Sequence, residues 1–274
     1  MMTKFKEIAV IMCVYSKDDA GFFLEAVESV LNQSEILDLY IYIDGWVSSE
    51  IKSLIDKYKK REDVFVLSND QSMGLAIGLN NLIDVVIKNR YEFIARMDSD
   101  DISLPDRFSE QMYFLKENQC IDVCGTFCSE FGSPYALPVK KLPTKHEQLV
   151  DFSIVRCPFI HPTVMFRRRV FENPNIRYPI NTNFTEDMSL WFELLKKGYR
   201  FANIDKVLLK YRLSESTLVR RKGFKKAISE MDIRFKNMVY LKKVSLKNIT
   251  LLTLRFILHI SPVSIIRTAY KRVR

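Results

Sequence analysis

The sequence lacks both of the glycine-rich motifs with which many nucleotide-binding proteins hold phosphate. No GxGxxG follows the first apolar run, and no GxxxxGK[ST] occurs anywhere in the 274 residues. Such motifs bring backbone N–H groups against a dinucleotide or a nucleoside triphosphate. Their absence argues against a NAD-dependent enzyme and against a P-loop NTPase as the leading class.

Metal-binding histidine and cysteine patterns are also missing. There are only three histidines, and among them only His161, which precedes a proline, is a candidate site residue. Cys120, Cys124 and Cys128 are spaced by four, whereas zinc sites favour two-residue gaps between paired ligands. The segment 121–128 instead has the pattern of a strand that packs Cys124 and Cys128 into one face. We therefore expect reduced, buried thiols rather than a zinc site.

No apolar run is long enough to cross a membrane. The longest uncharged stretch near the C-terminus, 256–266, is far shorter than the roughly 18 residues of a spanning helix. At the N-terminus, Lys4, Lys6 and Glu7 precede an apolar run, 8–15, that is too short for a secretory signal. We expect a cytoplasmic protein.

The positive charge is concentrated at one end. Residues 218–274 contain fifteen Lys or Arg and two acids, whereas residues 1–217 contain 27 bases and 31 acids. A mildly acidic body thus carries a strongly basic tail. Such an asymmetry indicates that the tail contacts a polyanion, either an anionic membrane or a nucleic acid.

Short apolar runs alternate with amphipathic segments through the first hundred residues. The runs predict strands at 8–14, 39–43, 64–67 and 93–97, and the segments between them predict helices at 20–33, 49–59 and 76–89. Repeated strand–helix alternation is typical of a parallel sheet with helices on both faces. The predicted fold class is α/β, with a doubly wound, Rossmann-like, mostly parallel sheet.

Acidic and polar residues follow the predicted strands. Ligands of such sheets bind beyond the carboxyl ends of the strands, where this sequence has Tyr15, Asp44, Asn69 with Asp70, and then Asp98, Asp100 and Asp101. Carboxylates that converge in one crevice repel one another unless they share a cation. The pattern therefore predicts a divalent metal site.

The run Asp98-Ser99-Asp100-Asp101 allows two interpretations. In extended chain, residues i and i+2 share a face, so Asp98 and Asp100 would point the same way, one toward a metal and the other toward a ribose hydroxyl. Alternatively, the run is a solvated turn that caps a helix starting near Leu104.

Two later segments are further candidates. In 185–191, Thr185 can cap a helix whose apolar residues form a buried face, and Asp187 is either a general base or a favourable charge on the helix dipole. His161 is either a hydrogen-bonded structural histidine or a member of the site. Neither segment decides between these alternatives by itself.

Together these segments resemble a known family, the inverting GT-A glycosyltransferases of family 2, and especially its bacterial members that build O-antigens and surface polysaccharides. The resemblance covers about residues 8–217 and depends on the order and spacing of several short blocks. These blocks are Val14-Tyr15, 29–33, Asp44-Gly45, Gly74-Leu75 with Asn80, 94–101 with Pro105-Asp106-Arg107, 161–167, Glu186-Asp187 with Leu190-Trp191, and Tyr211-Arg212.

The resemblance implies a role for each matched residue. Asp100 would hold Mn²⁺ or Mg²⁺, and Asp187 would be the catalytic base. The residues implied to bind the nucleotide-sugar are Tyr15, Asp44, Leu75, Asn80, Arg96, Asp98 and Asp101. Three residues, His161, Glu186 and Arg212, would surround the acceptor or the sugar.

The implied activity is transfer of one hexose or N-acetylhexosamine from a UDP-sugar to a polyprenyl-diphosphate-linked saccharide, forming a β-glycosidic bond. Two departures bear on this activity. Relatives often have a second aspartate and a serine where this chain has 43–46, and often a histidine where it has Ser214. The Gln-x-x-Arg-Trp pattern of processive members is absent, which favours transfer of a single sugar.

The predicted domain organisation is a GT-A domain over 1–217, with a nucleotide-sugar half to about 130 and an acceptor half over 131–217, followed by a helical basic extension over 218–274. Ser261 and Pro262 predict the start of a last amphipathic helix with a basic stripe. We expect this extension to hold the enzyme on the inner face of the bacterial cell membrane. The alternative is a helix pair that packs on the catalytic body.

Two other functions remain open at this stage. A sugar nucleotidyltransferase also combines a parallel sheet with carboxylate-bound metal, although its basic glycine-rich loop is missing after the first strand. A basic-tailed nucleic-acid-binding protein would use the tail to neutralise phosphates. The apolar residues between the tail's bases favour lipid, and no nucleic acid is expected.

Overall fold

The computed structural model describes residues 6–182, 185–213 and 224–261. The described residues contain eight strands, of which the first four have bounds close to those that the apolar runs predict. They are β1 (Ile8–Tyr15), β2 (Leu37–Asp44), β3 (Val64–Asn69), β4 (Phe93–Asp98), β5 (Ile102–Ser103), β6 (Val123–Phe131), β7 (Met165–Arg167) and β8 (Phe201–Arg212).

The strands form one sheet in the order β3-β2-β1-β4-β7-β6-β8-β5. The first four strands of that order are parallel, and β6 and β8 are also parallel to each other. The short β7 runs antiparallel between β4 and β6, and β5 pairs antiparallel with β8 at the edge. The expectation of an α/β fold with a mostly parallel sheet is confirmed.

Helices cover both faces of this sheet. Their bounds are α1 (Ala20–Leu31), α2 (Ser49–Tyr58), α3 (Leu75–Val86), α4 (Arg107–Glu117), α5 (His146–Ser153), α6 (Arg169–Glu172), α7 (Glu186–Lys196), α8 (Phe224–Tyr240) and α9 (Leu246–Ile260), with a short 3-10 helix at His161–Thr163.

The strand β1 lies in the middle of the sheet and is apolar at nearly every position, because both of its faces are covered. Ile8, Val10 and Met12 pack into the core beneath α1 and α2, whereas Ala9 and Ile11 pack into the opposite core beneath α3. A strand that is covered on both faces has no solvent-facing side, so its sequence does not alternate.

One predicted helix start is displaced. The helix expected near Leu104 begins at Arg107 instead. The Leu104 N–H donates to the Leu208 carbonyl at 3.0 Å, which extends the pairing of β5 with β8 and keeps residue 104 out of the helix. Asp106, at the N-cap position, makes no side-chain capping bond. The acidic run therefore does not cap α4.

Two of the five cysteines are buried in β6 as the strand pattern predicts, whereas Cys120 is exposed. Cys124 and Cys128 lie on one face of β6, and both are fully buried in the core beneath α1 and α2. All five thiols are free. Across the part of the chain that the structure describes, the metal-capable group consists of aspartates alone.

The helices α8 and α9, which we call the hairpin, form the helical C-terminal region. Arg234 on α8 is fully buried and donates to the carbonyls of Ser153 and Ile154 at 2.8 and 3.1 Å, which fastens the hairpin to the end of α5. Within residues 6–182, 185–213 and 224–261, no helix has both the length and the hydropathy of a membrane span. Ser214 and the last helix predicted from residue 262 lie outside the described residues.

Candidate active site

The acidic run lies where β4 ends, at the carboxyl edge of the parallel strands. Asp98 is the last residue of β4, and the turn that follows brings Asp98, Asp100 and Asp101 together. One carboxylate oxygen from each lies within 4.8 Å of the others. Oxygen ligands at this spacing suit a hard divalent cation.

Asp101 is the most buried of the three aspartates, at 1% exposure. Its Oδ1 accepts from the Arg212 N–H at 2.7 Å, whereas its buried Oδ2 has no hydrogen-bond partner. Burial, together with the charges of Asp98 and Asp100, raises the pKa of Asp101 well above its usual value. A bound cation would relieve both the repulsion and the unsatisfied oxygen.

Arg96 lies under this turn with 2% exposure and forms an ion pair with Asp98. Burial alone would lower the pKa of the guanidinium, but the charge of Asp98 and its hydrogen bond raise it. The Nε and Nη1 atoms of Arg96 have no hydrogen-bond partner. A buried cation with unused donors is suited to bind an anionic group that enters the crevice.

Arg212, at the end of β8, holds the turn from the other side. Its guanidinium stacks between Phe22 and Phe131, with 3.8 and 4.4 Å from its central carbon to the two ring centroids. The Nε atom donates to the backbone carbonyl of Asp100 at 2.7 Å, in addition to the backbone bond with Asp101. Arg212 is thus a positioning residue for the acidic turn.

Two supports of the turn, Asp18 and Arg107, were not selected as site residues from the sequence. Asp18 accepts from the Tyr15 N–H at 3.1 Å and from the Ser99 hydroxyl at 2.8 Å, which links the end of β1 to the turn. Arg107, fully buried, donates to the Arg96 carbonyl at 2.7 Å, and burial lowers the pKa of Arg107 to about 9. Asp18 lies in a loop, where sequence alone gives no sign of its distant partner.

Asp44 is the last residue of β2 and is 5% exposed. Its Oδ1 accepts from the Met73 N–H at 2.7 Å, and its Oδ2 accepts from the Ser72 hydroxyl and the Gly74 N–H at 2.8 and 3.0 Å. The carboxylate therefore fixes the loop that leads into α3, of which Leu75 is the first residue. Its position at the sheet edge agrees with the sequence, but its oxygens contact the protein's own loop.

Asn80 and His161 meet at Tyr178, a residue that the sequence analysis did not select. Asn80 exchanges two hydrogen bonds of 2.8 Å with the Tyr178 backbone. The Nε2 of His161 lies 2.9 Å from the Tyr178 hydroxyl. Burial and the nearby Arg96 charge lower the pKa of His161 well below its usual value, so the imidazole is neutral at pH 7.

Asp187 lies in the first turn of α7, where its Oδ1 accepts from the Met188 N–H at 2.7 Å. Thr185 stands at the N-cap position but makes no side-chain capping bond, contrary to the expectation. The predicted apolar face is confirmed, since all five of its residues are buried: Met188, Leu190, Trp191, Leu194 and Leu195.

Tyr178 connects α7 to the acidic turn. Burial raises the pKa of its hydroxyl, and the charges of Arg96, Asp187 and Glu186 all act on it. The ring of His161 also packs edge-on against Trp191, one turn along α7, at 5.9 Å between ring centroids. The Arg96, His161 and Tyr178 group therefore lies near both the acidic turn and the candidate base.

This arrangement defines a class of protein. A doubly wound sheet presents a metal-competent carboxylate turn at its carboxyl edge, a buried arginine beneath the turn, and a further carboxylate at a helix start nearby. The family model described as "Glycosyl transferase family 2" matches residues 9–184. The chain belongs to this family and is a glycosyltransferase.

Several relatives match most of the chain. The UDP-Gal:alpha-D-GlcNAc-diphosphoundecaprenol beta-1,3-galactosyltransferase of Escherichia coli is 31% identical over 84% of this chain and 82% of its own length. The amylovoran biosynthesis glycosyltransferase AmsE of Erwinia amylovora is 26% identical over 97% and 98%. The O-antigen biosynthesis glycosyltransferase WbnJ of Escherichia coli is 30% identical over 75% and 79%. The resemblance to bacterial surface-polysaccharide enzymes is confirmed.

Solved structures share the fold. S. aureus TarS 1-349, in complex with UDP-GlcNAc, has a TM-score of 0.63 at 14% identity, with 93% of this chain and 82% of that chain covered. The mannosyltransferase PcManGT of Pyrobaculum calidifontis, in complex with GDP-Man and Mn2+, has a TM-score of 0.61 at 14% identity, with 98% and 86% covered. The chain spans 39% of a longer TarS chain. At these identities the likeness concerns the fold.

Proposed function

We propose that this glycosyltransferase moves one hexose or N-acetylhexosamine from a UDP-sugar to a polyprenyl-diphosphate-linked saccharide, inverting the anomeric centre to a β-linkage. The observation that carries the proposal is the carboxylate turn at the end of β4, set over a buried arginine. Such a site can stabilise a departing nucleoside diphosphate, whose phosphates need positive charge.

The residues of the turn fit a divalent cation. All three potential ligands are carboxylates, the ligand type that Mg²⁺ and Mn²⁺ prefer, and the unsatisfied Oδ2 of Asp101 favours an additional positive partner. In this proposal Asp100 holds the cation and Asp98 contacts the nucleotide. When bound there, the cation would offset the negative charge that develops on the diphosphate.

Asp187 is proposed as the general base. It is partly exposed, and the backbone bond from Met188 to its Oδ1 fixes the orientation of the carboxylate. A carboxylate held in this way can take the proton from an acceptor hydroxyl as that oxygen attacks the anomeric carbon. His161, which is neutral and bonded to Tyr178, would leave proton removal to Asp187.

The names of the relatives support the donor and the acceptor. The Escherichia coli galactosyltransferase is named for a UDP-sugar donor and a diphosphoundecaprenol-linked acceptor, and a structural neighbour is in complex with UDP-GlcNAc. Two other relatives are named for amylovoran and for O-antigen biosynthesis. We propose a role of the same kind for this chain, in surface-polysaccharide assembly.

An assay of UDP release tests the proposed reaction. The purified full chain is given one UDP-sugar at a time, with Mn²⁺ and a polyprenyl-diphosphate saccharide. We expect UDP release that depends on both substrates, stops with EDTA and returns when Mn²⁺ is added. Release of pyrophosphate from a nucleoside triphosphate and a sugar phosphate would instead support a nucleotidyltransferase and overturn the proposal.

The hairpin is proposed to bind the inner face of the cell membrane. Many of its large apolar side chains are more than a third exposed, while Lys236, Lys242 and Lys247 are exposed beside them. The exposed apolar residues are Phe224, Ile228, Phe235, Val239, Tyr240, Val244, Leu246, Ile249, Leu251, Leu254, Ile257, Leu258 and Ile260. Apolar side chains interspersed with lysines are typical of helices that lie on anionic lipid.

Vesicle flotation tests this surface. We expect the full chain to float with anionic vesicles and to float less at high salt. The double substitution Leu254→Ser and Ile257→Ser should reduce flotation, whereas Ile36→Ser with Phe65→Ser, two exposed apolar residues of the body, should not. Equal flotation of the two double variants would overturn the proposed surface, and a hairpin that instead pairs two chains would appear as a dimer without vesicles.

A further inference from the structure

Residues 173–180, which we call the strap, follow α6 and lie against α3. The strap has no regular secondary structure. Two of its side chains are nevertheless almost completely buried, Ile176 at 0% and Tyr178 at 1% exposure. Irregular segments usually run over the protein surface, so a strap that buries an aromatic side chain with a hydroxyl needs an explanation.

The strap is attached to α3 at two points. The Nδ2 of Asn80 donates to the Tyr178 carbonyl, and its Oδ1 accepts from the Tyr178 N–H, each at 2.8 Å. One turn further along α3, Asp84 accepts from the Nε of Arg177 at 2.8 Å. Residues i and i+4 of a helix are neighbours on one face. One face of α3 therefore holds two consecutive residues of the strap.

These attachments determine where the Tyr178 side chain lies. Its hydroxyl is 2.9 Å from the Nε2 of His161, and the two ring centroids are 5.5 Å apart. The His161 ring in turn packs edge-on against Trp191 of α7. A continuous series of contacts thus runs from Asn80 on α3 through two rings to α7, the helix that carries the proposed base.

The acidic turn has supports of its own. Arg96 forms an ion pair with Asp98, and Arg212 donates to the backbone carbonyl of Asp100. These contacts do not involve the strap. The surroundings of Asp187, which we call the acceptor side, depend on it more directly, because Asp187 follows the strap by seven residues along the chain. Loss of the attachment to α3 should therefore disturb the acceptor side more than the nucleotide site.

We propose that Asn80 is a positioning residue of the acceptor side, and that it holds the strap so that the Tyr178 hydroxyl orients His161 against α7. This inference rests on the proposed function, since the proposed base Asp187 defines the acceptor side. Asn80 acts through Tyr178. The family resemblance instead implies that Asn80 contacts the nucleotide-sugar. A donor ligand affects the KM for the UDP-sugar, whereas a positioning residue of the acceptor side affects kcat.

Kinetics of Asn80→Ala separate these two roles. We expect kcat to fall about tenfold or more, because a small displacement of groups at the reacting centre is costly, while the KM for the UDP-sugar stays within about twofold. Asn81→Ala is the matched control. It removes the neighbouring asparagine, which donates to the Tyr42 hydroxyl, and should retain kcat. A raised KM for the UDP-sugar with unchanged kcat would overturn the positioning role.

Tyr178→Phe tests the same link without removing the backbone attachment. It deletes only the hydroxyl that meets His161, so kcat should fall in the same direction. Because Asn80 acts through Tyr178, the double variant should be no slower than Asn80→Ala alone. Losses that multiply would contradict this link. If Asn80→Ala does not fold, kcat of Tyr178→Phe decides, and an unchanged value overturns the proposal.

A measurement on the imidazole does not depend on the donor. The chain has three histidines, so its ring-nitrogen NMR signals are few, and His161→Gln identifies that of His161. We expect this signal to shift in Asn80→Ala and to stay in place in Asn81→Ala. An unchanged signal in Asn80→Ala would contradict the proposal. If the signal shifts but the original chain releases UDP from no UDP-sugar, the proposed donor is wrong and the positioning of His161 is retained.

Discussion

The hairpin and the end of β4 each hold a cluster of charged side chains around a buried acid, and the two clusters are built in opposite ways. On the hairpin, Glu230 is 4% exposed and contacts Arg234, Arg255 and His259 at 2.8, 2.5 and 3.0 Å. At the end of β4, three aspartates lie together over the single arginine that pairs with Asp98. In the first cluster three basic side chains contact one acid, and in the second three acids lie together with one ion-paired arginine.

The difference also appears in the pKa shifts. Although burial opposes it, the three basic neighbours hold the pKa of Glu230 far below its usual value. The pKa of Asp101 is raised, by burial and by its acidic neighbours. Removing one partner from a charge-balanced buried cluster is expected to destabilise the fold, whereas an unbalanced cluster indicates a site that a ligand completes.

The largest expected effect is on stability, at the paired cluster. Glu230→Gln should lower the free energy of unfolding by about 3–5 kcal/mol, because Arg234 would remain buried without its anion. Chemical denaturation measures this loss. Asp232→Asn, two residues away in an exposed pair with Lys236, is the control and should change the stability by less than about 1 kcal/mol.

Next comes the proposed base. Asp187→Asn should reduce kcat by at least about 100-fold with little change in stability, because the amide cannot take a proton. The measurement is UDP release with saturating substrates. Glu193→Gln, which alters another acid of α7, serves as the control and should retain activity. Full activity of Asp187→Asn would show that the base is another residue.

The acidic turn should respond in the opposite way to Glu230. Asp100→Asn should also reduce activity by at least about 100-fold. The free energy of unfolding of this variant should nevertheless stay the same or rise, because the charge of Asp100 no longer repels that of Asp101. Asp205→Asn, an exposed aspartate of β8, should change neither quantity. A clear loss of stability in Asp100→Asn would mean that the turn is a structural cluster.

A smaller effect is expected where Arg212 positions the turn. Arg212→Lys keeps the charge but loses the planar guanidinium that stacks on Phe22 and Phe131 and donates to the Asp100 carbonyl. We expect kcat/KM to fall about tenfold, with a higher Mn²⁺ requirement, because the ligands are less well oriented. An unchanged metal requirement would contradict the positioning role.

The smallest effect concerns His161 and pH. Its folded pKa is lowered, so below a pH of about 6.5 the unfolded state binds the proton that the folded state excludes, and stability falls as the pH falls. Between pH 7.5 and 5.5 the original chain should lose about 1 kcal/mol more than His161→Gln. Denaturation at both pH values measures the difference, and equal losses would contradict the assignment.

Much of the fold could be predicted because it depends on local patterns. The apolar runs located β1 to β4, and the apolar face of α7 was identified residue by residue. The predicted start of α4 was wrong because the Leu104 N–H donates to the carbonyl of Leu208, a residue about a hundred positions away. The antiparallel β7 was not predicted, since three residues carry little periodicity.

The candidate site was predicted in part. Asp98 ends β4 and Asp100 and Asp101 follow it directly, and this position and spacing predicted a metal-competent turn. The sequence analysis did not select Asp18 or Tyr178, whose roles depend on Ser99 and His161 at distant positions. The assignment of Asp44 to the nucleotide-sugar site stays a prediction, and the structure adds that its oxygens accept hydrogen bonds from residues 72–74.

The sequence by itself determined the doubly wound sheet, the acidic turn at its edge and the basic character of the C-terminal region, because apolar periodicity and charge are local properties. Only the tertiary structure decided which charges are balanced. Glu230 and Asp101 are both buried acids, and what distinguishes them is the set of neighbours that folding brings from other parts of the chain. Because burial weakens the screening of charges by water, those neighbours determine whether a buried carboxylate is balanced within the fold or needs the positive charge of a ligand.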